Sequence, residues 1–363
     1  MKAHRIMKVP QNAPDDLGSV EKALKEQGVA PSQIKAVMCQ TEGDGLARGY
    51  ASLAFSVFFH RALGWDIRDV PRRIPLIMIG GCSGLVTPYA ALFVEDKTLD
   101  GEADEPGLSI GSSTTPDIDI EAFGKTAMVD MVADAVRAAM DEAGLKREDI
   151  HNVQIKAPWP ETPALIAAKK AGKNVATLDG GRAGALARGS GALGVAVALN
   201  EIDRKRLTDA DICDNWSLRS DIASASAGTE RTNVAVIVMG NSRKSRSPYR
   251  IGHGVMRDGI DVGGVYAALA SAGISAKSPL EHGPENPVDH VFLKSAVEMA
   301  TECRGRRHTL TTDYLAPYSW LIAKAAIHAS VASVVGDPMM QVSGGGEHQG
   351  PQGGGLVAVV AKK

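Results

Sequence analysis

The sequence predicts an α/β fold in which three repeated units surround a pseudo-threefold axis and form a barrel-like core with a central active site. Three observations support this prediction. A helix that ends in glycine leads into a short strand three times, a second helix with a cation near its start recurs after that strand, and a loop of small residues then follows another strand. Such repeats stack so that equivalent positions converge on a shared cavity.

The repeat gives the boundaries of the units. We place them at residues 1–103, 107–242 and 248–363. Two polar, turn-rich stretches, EDKTLDGEADEPG (95–107) and NSRKSRSPYR (241–250), lie between the units and are typical of linkers. The chain is long enough for three such units with a sizeable core.

Each unit is predicted to run strand, helix, strand, helix, strand, loop, strand. The first helix is expected to end in a glycine, the residue that closes helices in the left-handed conformation. These glycines are Gly28, Gly144 and Gly273. The strands that follow end in Gln40, Lys156 and Lys294. The second helices carry Arg48, Arg188 and Lys324 near their starts. Equivalent positions therefore hold polar side chains in all three units.

A loop of small residues precedes the last strand of each unit. The loops read Ile79-Gly-Gly-Cys-Ser83, Ser226-Ala-Gly-Thr-Glu230 and Ser343-Gly-Gly-Gly-Glu347. The last of them belongs to VSGGGEHQGPQGGG (342–355), which lies between two apolar runs of strand type and is therefore predicted to be an ordered loop between strands. Two loops share the pattern Ser-small-Gly-x-Glu, whereas the first has lost both ends of it.

A recurring lysine beside a recurring serine points to nucleophilic catalysis. Serine needs a base to remove its proton, and a lysine can be that base when burial or a nearby cation lowers its pKa. The sequence offers two such dyads, Lys156–Ser226 and Lys294–Ser343. Arg188 would supply the cation if it lies near Lys156. Small residues beside each serine leave backbone N–H groups free to face an oxyanion.

Each of these residues also has a structural interpretation. A lysine at a strand end is usually solvated or salt-bridged, and Glu230 and Glu347 would then be ordinary loop or cap carboxylates. His348 is expected to be a hydrogen-bonded loop histidine. The pattern GSGALG (189–194) matches a dinucleotide fingerprint, but it lies inside a predicted helix, where close packing explains it better.

Composition excludes several classes of function. The net charge is −2 and aromatic residues make up 4%, so we expect no nucleic-acid partner. The four cysteines have no paired spacing, which gives no zinc signature and suits a reducing cytoplasm. The N-terminus has no apolar signal segment, and no apolar run approaches the ~20 residues that a membrane span needs.

Eight segments together resemble one known family, the ring-opening amidohydrolases of the cyanuric acid hydrolase and barbiturase type. The segments are TEGDG (41–45), VQIKAPW (153–159), ARGSGALGVAVAL (187–199), DNWSLRSDIASASAGTE (214–230), IGHGVMRDGIDV (251–262), RGRRHTL (304–310), SVVGDPM (333–339) and VSGGGEHQGP (342–351). The resemblance covers nearly the whole chain in family order. It implies a cyclic amide substrate, a homotetramer and chemistry without a cofactor.

The resemblance also implies roles for individual residues. Ser226 matches the family nucleophile and Lys156 its base. The family's substrate contacts match Arg48, Arg188, Ser226 with Ala227, and Ser343 with Gly344. We add to the expected substrate-binding set the corresponding positions of the repeat: Gly80, Gly81, Lys294 and Lys324. The reserve dyad is Lys294–Ser343, because it retains both partners.

The chain departs from the family pattern at four positions. Gln40 replaces a lysine, Ile79 replaces a serine and Lys324 replaces an arginine. The family also binds a structural divalent cation beside the C-terminal loop, but Ala296 stands where the resemblance places its glutamate, so this cation is doubtful. A site with one apolar position at Ile79 suits an asymmetric, barbiturate-like ring better than threefold-symmetric cyanuric acid.

Three alternatives follow from the same residues. Gln40 and Ile79 could reflect drift in a unit that never took part in catalysis. The same dyad could serve a hydrolytic deaminase or amidase on an open-chain amide or enamine. The chain could also be a small-molecule binder that keeps the cavity without the chemistry, although the joint presence of Lys156, Arg188 and Ser226 argues against this.

Overall fold

The computed structural model describes residues 3–96 and 103–363. Residues 1–2 of the first predicted unit and residues 97–102, in the first predicted linker, lie outside the described part. The fold is α/β, with mixed sheets covered by helices. This confirms the predicted α/β class, while the pseudo-threefold barrel and the exact boundaries of the units stay predictions.

The first sheet is built from residues of the first unit. Its strands are β1 (Ala3–Pro10), β2 (Ile34–Thr41), β3 (Leu76–Gly80) and β4 (Tyr89–Asp96). Its helices are α1 (Leu17–Glu26), α2 (Gly45–Leu63) and the single turn α3 (Val70–Arg73). The strands are ordered β1-β4-β2-β3, and only β2 and β3 run parallel.

The second sheet repeats this arrangement. Its strands are β5 (Gly107–Asp117), β6 (Ile150–Pro158), β7 (Ala223–Gly228) and β8 (Asn233–Ser242). Its helices are α4 (Thr126–Ala143), α5 (Thr162–Lys170) and α6 (Gly180–Ala198). The order is β5-β8-β6-β7, and only β6 and β7 run parallel.

The third sheet has the same topology with an insertion. Its strands are β9 (Tyr249–Met256), β10 (Val288–Ser295), β13 (Gln341–Ser343) and β14 (Gly355–Lys362). Its helices are α7 (Val262–Ser271) and α8 (Ser319–Val335). A short hairpin of β11 (Glu302–Cys303) and β12 (Arg306–Arg307) is inserted between them. The order is β9-β14-β10-β13, with β10 and β13 parallel.

The register of the parallel pairs positions the polar residues. Gln40 lies opposite Ile79, Lys156 opposite Ser226, and Lys294 opposite Ser343. Each pair stands at the carboxyl end of its strands, where the loop begins. Parallel strands that end together bring their following loops to one edge of the sheet, so the repeat in the sequence becomes a repeat of local geometry.

Glycines end the helices as predicted. Gly144 caps α4 with φ 60°, and Gly28 and Gly273 adopt φ of 64° and 84° one residue beyond the caps of α1 and α7. Within α6, a Cβ atom at Gly194 would lie 2.5 Å from Val132 on α4. The GSGALG stretch therefore lets two helices approach closely, and the helical packing interpretation is confirmed.

The apolar core is divided between the sheets and their helices. Each sheet packs against its own helices in a separate cluster. A fourth cluster takes side chains from all three sheets, including Phe93, Ile237 and Phe292, and is almost completely buried. This shared cluster ties the three sheets into one body, because the residues that alternate away from the helices pack against each other.

Among the residues that the structure describes, one helical stretch is apolar enough to cross a membrane by length and composition alone. It covers Ala316–Val335, with 20 residues and a mean hydropathy of 1.3. The expectation that no apolar run approaches this length was therefore wrong. Ala323, Ile327 and Val331 pack into the core cluster of the third sheet. These contacts are those of a core helix.

Candidate active site

The carboxyl ends of the parallel strands surround a cavity of about 430 Å³. Most of the predicted site residues line it: Arg48, Gly80, Lys156, Arg188, Ser226, Ala227, Lys324, Ser343 and Gly344. They come from all three units, and the last two are separated from Arg48 by most of the chain. The loops of small residues meet here because each follows a strand end at this edge.

Lys156 is completely buried at the wall of this cavity. Its ammonium donates to the carbonyl oxygens of Met78 and Ala227 at 2.5 and 3.1 Å and lies 3.0 Å from Oε1 of Glu230. Burial lowers the pKa of Lys156 to about 8, against the carboxylate of Glu230, which raises it. A lysine with this pKa is partly neutral near pH 8 and has a lone pair for accepting a proton.

Ser226 stands beside Lys156 in register, but its hydroxyl donates to the carbonyl oxygen of Ile155 at 3.2 Å. The contacts of Lys156 are with Glu230 and backbone carbonyls. Ser226 itself is nearly buried and faces the cavity. The two members of the predicted dyad are therefore neighbours that hydrogen-bond to other groups in this state.

In the third unit, the lysine and the serine are hydrogen-bonded to each other. The ammonium of Lys294 donates to Oγ of Ser343 at 3.1 Å, to the carbonyl oxygen of Ala225 at 2.6 Å and to that of Gly344 at 2.7 Å. Burial places the pKa of Lys294 well below its usual value, and the charge of Arg188 lowers it further. Lys294 and Ser343 thus form a hydrogen-bonded pair.

Two arginines of the site form ion pairs with the glutamates that recur in the second and third loops. Arg188 forms a two-point ion pair with Glu347, with nitrogen–oxygen distances of 2.7 and 2.6 Å. Nε of Arg48 lies 3.8 Å from Oε2 of Glu230. The side chain of Glu230 is 4% exposed and Glu347 is buried. They are therefore ion-pair partners of the site, so their interpretation as ordinary loop or cap carboxylates was wrong.

The loop of the first unit offers backbone carbonyls to a neighbouring cation, whereas the loops of the other two units offer a glutamate. Lys324 donates to the carbonyl oxygens of Gly80 and Gly81 at 3.1 and 2.6 Å, and burial lowers its pKa to about 8. Gln40 donates to the carbonyl oxygen of Gly81 at 3.3 Å and accepts from the backbone N–H of Val342 at 2.9 Å. Gln40 therefore joins two loops.

These contacts follow a cyclic order between the units. The cation of the first unit pairs with the loop of the second, that of the second with the loop of the third, and that of the third with the loop of the first. The strand-end residues repeat the cycle in the opposite sense, since Lys156 reaches Met78 and Lys294 reaches Ala225. Each subsite of the cavity is thus completed by a neighbouring unit.

Three sequence-based expectations need correction. Arg188 does not act on Lys156, because the cations that lower the pKa of Lys156 are Arg48 and Arg231. Lys294 lies behind Ser343 rather than on the cavity wall, since its three donor contacts are with protein groups. Gly81 is likewise outside the wall, and its carbonyl accepts from Lys324.

The C-terminal loop is closed by its own contacts. His348 accepts from the backbone N–H of Cys213 at 2.7 Å and lies 2.5 Å from the carbonyl oxygen of Leu218, so the predicted hydrogen-bonded loop histidine is confirmed. Gln349 donates to the carbonyl oxygens of Gly345 and Glu347, both at 3.1 Å. These hydrogen bonds tie the loop to the segment before β7 and to itself.

The residues at the implied cation site do not fit a divalent cation. Ala296 offers a methyl group there, and a Cβ atom at Gly346 would lie 2.2 Å from it. The backbone of Ala296 also bonds directly to Gly353 and Gly354, at 2.9 Å in both directions. Within residues 3–96 and 103–363, no group of three histidine, cysteine or acidic side chains is arranged to hold a metal.

The sequence did not point to several residues of the wall: Asp44, Trp159, Glu298, Met299 and Trp320. Asp44 and Trp159 belong to the segments TEGDG and VQIKAPW, so the resemblance was a signal for both. Trp320 lies one turn before Lys324 on α8, with the ammonium 5.7 Å from its ring centre. Glu298 and Met299 follow β10 in a stretch without a motif, and nothing in the sequence marks them.

The chain is similar to known proteins of one family along nearly its whole length. Residues 5–362 match the family described as "Amidohydrolase ring-opening protein". A cyclic amide hydrolase from Rhodococcus sp is 58% identical over 96% of this chain and 99% of its own length. A cyanuric acid amidohydrolase from Enterobacter cloacae is 38% identical, with 99% of each chain covered.

Solved structures agree with these relatives. A cyanuric acid hydrolase from A. caulinodans superposes with a TM-score of 0.90 at 36% identity, covering 100% of this chain and 99% of its own. A second cyanuric acid hydrolase, described as an innovation by structural concatenation, gives 0.93 at 34% identity over both whole chains. The chain therefore belongs to the ring-opening amidohydrolase family, whose members are hydrolases acting on the C–N bonds of cyclic amides.

Proposed function

We propose that this hydrolase opens a cyclic imide, ureide or lactam ring by attack of Ser226 on a ring carbonyl, with Lys156 as the base. The observation that carries the proposal is the meeting of both residues with Arg48 and Arg188 at one cavity of about 430 Å³. That volume suits a small ring with a few polar substituents.

The reaction begins with proton removal by neutral Lys156. Burial favours the neutral form, and a pKa of about 8 makes it accessible near neutral pH. A rotation of Ser226 away from the carbonyl of Ile155, to which it donates at 3.2 Å, brings its Oγ toward Lys156 and the substrate. The freed oxygen then forms a bond to the carbonyl carbon, and the carbonyl becomes an oxyanion.

The oxyanion requires donors, which we assign to Arg188 and to backbone N–H groups of the loops. The carboxylate of Glu347 fixes the guanidinium of Arg188 in one orientation. Collapse of the tetrahedral intermediate breaks the C–N bond, and Lys156 returns the proton to the leaving nitrogen. Water then hydrolyses the ester on Ser226, which releases the opened product and restores the hydroxyl.

A second candidate for the attacking residue is Ser343 with Lys294. One observation favours this pair, namely the hydrogen bond of 3.1 Å between Nζ of Lys294 and Oγ of Ser343. The carbonyls of Ala225 and Gly344 occupy the remaining donors of Lys294. We therefore assign Ser343 first to holding a ring carbonyl and second to attack.

We propose an asymmetric ring with one apolar edge, such as a barbiturate-like ureide. Ile79 lines the cavity at the position that holds Ser226 and Ser343 in the other units. Trp159 and Trp320 add further apolar wall. A ring that offers polar groups to the second and third loops and a CH₂ or alkyl group to Ile79 matches this wall without leaving a polar group unpaired.

The test is incubation with a panel of cyclic imides, ureides and lactams, followed by mass spectrometry. We expect products heavier by one water and, after rapid quenching, an ester on the peptide that contains Ser226. Ammonia release from open-chain amides without ring opening would favour the deaminase or amidase alternative. Binding without any product would favour the non-catalytic binder, and either result would overturn the proposal.

We also infer that the three sheets surround a pseudo-threefold axis as a barrel. The common strand order, the shared central cluster and the cyclic contacts between units support this arrangement. A homotetramer in the cytoplasm completes the proposal, and the four free cysteines suit that compartment. Light scattering on the purified protein tests the tetramer, and fractionation of the source cells tests the location.

A further inference from the structure

The cavity wall carries two acidic side chains without an ion pair to a cation of the repeat, and Glu298 is the one beside the third loop. Glu298 follows β10 and contributes to the wall beside Ser343, Gly344 and Gly345. Its Oε1 accepts from the backbone N–H of Gly345 at 2.8 Å. Its Oε2 has one long contact, 3.4 Å from Oγ of Ser295. A carboxylate oxygen accepts two hydrogen bonds, so Oε2 keeps capacity for a ligand.

The rest of the wall is rich in donors. Arg48, Arg188 and Lys324 are cationic, and the hydroxyl of Ser343, which accepts from Lys294, donates only at a long 3.5 Å to the carbonyl oxygen of Gly344, so a ligand can replace that contact. The other wall carboxylate, Asp44, is exposed and caps α2 by accepting from Leu46. Glu298 is therefore the acceptor that stands next to the donors of the third loop.

We propose that Glu298 selects substrates that carry a free ring N–H directly beside the carbonyl held by Ser343. The C(=O)–NH edge of an imide or ureide presents an acceptor and a donor side by side, and Ser343 with Glu298 presents the complementary pair. This inference rests on the proposed function of the same site and narrows its substrate class. Glu298 is thus a specificity-determining residue.

The charges around Glu298 suit this role. Burial raises the pKa of Glu298, while the N–H of Gly345 and the charge of Lys294 oppose that rise. The carboxylate in turn raises the pKa of Arg188 and Lys324, as a lesser effect than their burial. A ring N–H that binds Oε2 adds a donor to a carboxylate already partly compensated, which is favourable in a site shielded from water.

The experiment compares a cyclic ureide that has free ring N–H groups with its N-methyl derivative. Glu298→Ala should lower kcat/KM for the free ring by about 10- to 100-fold, mostly through KM, as expected for loss of a hydrogen bond to a charged group. For the N-methyl ring, kcat/KM should stay unchanged or rise, because the truncation makes room for the methyl group. Preference for the free ring should fall by at least about tenfold.

Two further variants separate recognition from structure. Glu298→Gln keeps an acceptor for the N–H of Gly345, so it should preserve the loop while losing part of the preference. Glu302→Ala removes an exposed carboxylate of the same segment outside the cavity and should leave both rings unaffected. If Glu298→Ala slowed both rings equally, Glu298 would only anchor the loop, and the inference would be overturned.

Calorimetry on the same two rings measures their affinities and tests the inference without relying on turnover. Wild-type chain should bind the free ring more tightly, and Glu298→Ala should remove that difference. A wild-type chain that binds with this preference but opens no ring would contradict the proposed reaction and support the assignment of Glu298. A wild-type chain that opens rings but binds both equally would contradict the assignment alone.

Discussion

The second and third units place a lysine and a serine in the same register and yet give the lysines different partners. Lys156 lies 3.0 Å from the carboxylate of Glu230, and its neighbour Ser226 donates to a backbone carbonyl. Lys294 donates to Ser343 itself. The corresponding glutamate of the third loop, Glu347, forms an ion pair with Arg188.

The difference teaches that the same strand-end position meets different neighbouring charges in the two units. Burial lowers the pKa of both lysines; the carboxylate of Glu230 opposes this for Lys156, whereas for Lys294 the charge of Arg188 adds to it before the carboxylates of Glu347 and Glu298 oppose it. A base with a pKa near the working pH both accepts and returns a proton. The second pair therefore suits catalysis, and the third suits a fixed hydrogen-bonding role.

The largest expected effect comes from removing each hydroxyl in turn. Ser226→Ala should lower kcat by at least about 10³-fold, because the attacking atom is lost. Ser343→Ala should act mainly on KM, by about tenfold, because it removes one hydrogen bond to the substrate. Steady-state kinetics on a ring that the wild type opens measures both.

The reverse result would break the comparison. If Ser343→Ala abolished turnover while Ser226→Ala only weakened binding, the hydrogen-bonded pair with Lys294 would be the nucleophilic one. Calorimetry then measures whether each variant still binds the intact ring. Retained binding shows that the variant is folded and that only turnover has been lost.

A second effect concerns pH. Lys156 must be neutral to act as a base, so the rate should rise with pH through its pKa of about 8. Glu230→Gln removes the carboxylate that raises this pKa, so Lys156 loses its proton at a lower pH. The acidic limb of the kcat profile should then move to lower pH by about one pH unit.

Glu347→Gln is the matched variant in the third unit. It releases Arg188 from its two-point ion pair and should raise KM by about tenfold, with the acidic limb of kcat unmoved. Equal movement of the limb in both variants would mean that overall charge, rather than the contact of Glu230 with Lys156, sets the profile.

The smallest effect concerns the first unit, which differs from both others. Ile79→Ser restores a hydroxyl at the cavity wall, so kcat/KM for a threefold-symmetric ring should rise about fivefold relative to an asymmetric one, as expected for one added hydrogen bond. Ile79→Val, which adds no polar group, should leave that ratio unchanged. An unchanged ratio in Ile79→Ser would mean that the first unit does not contact the substrate.

The sequence alone predicted much of this geometry. The periodic return of helix, glycine, strand and loop is local information, so the three units, the strand ends at Gln40, Lys156 and Lys294, and the loop beyond Ser343 could be predicted from it. The close packing of Gly194 against α4 followed from the same reasoning, because a glycine inside a helix needs a packing reason. The second helix of the third unit, with Lys324 near its start, was predicted from the same repeat and corresponds to α8, but its apolar length was not recognised.

Only the tertiary structure decided which groups touch. The ion pair of Arg188 with Glu347 joins residues 159 positions apart, and Lys324 reaches the loop of Gly81 across 243 positions. A sequence repeat specifies what stands at each strand end but not which neighbour's loop packs against it. Those pairings depend on how the three sheets share one core, and they set the burial and charge on which the pKa of Lys156 and the place of Glu298 depend.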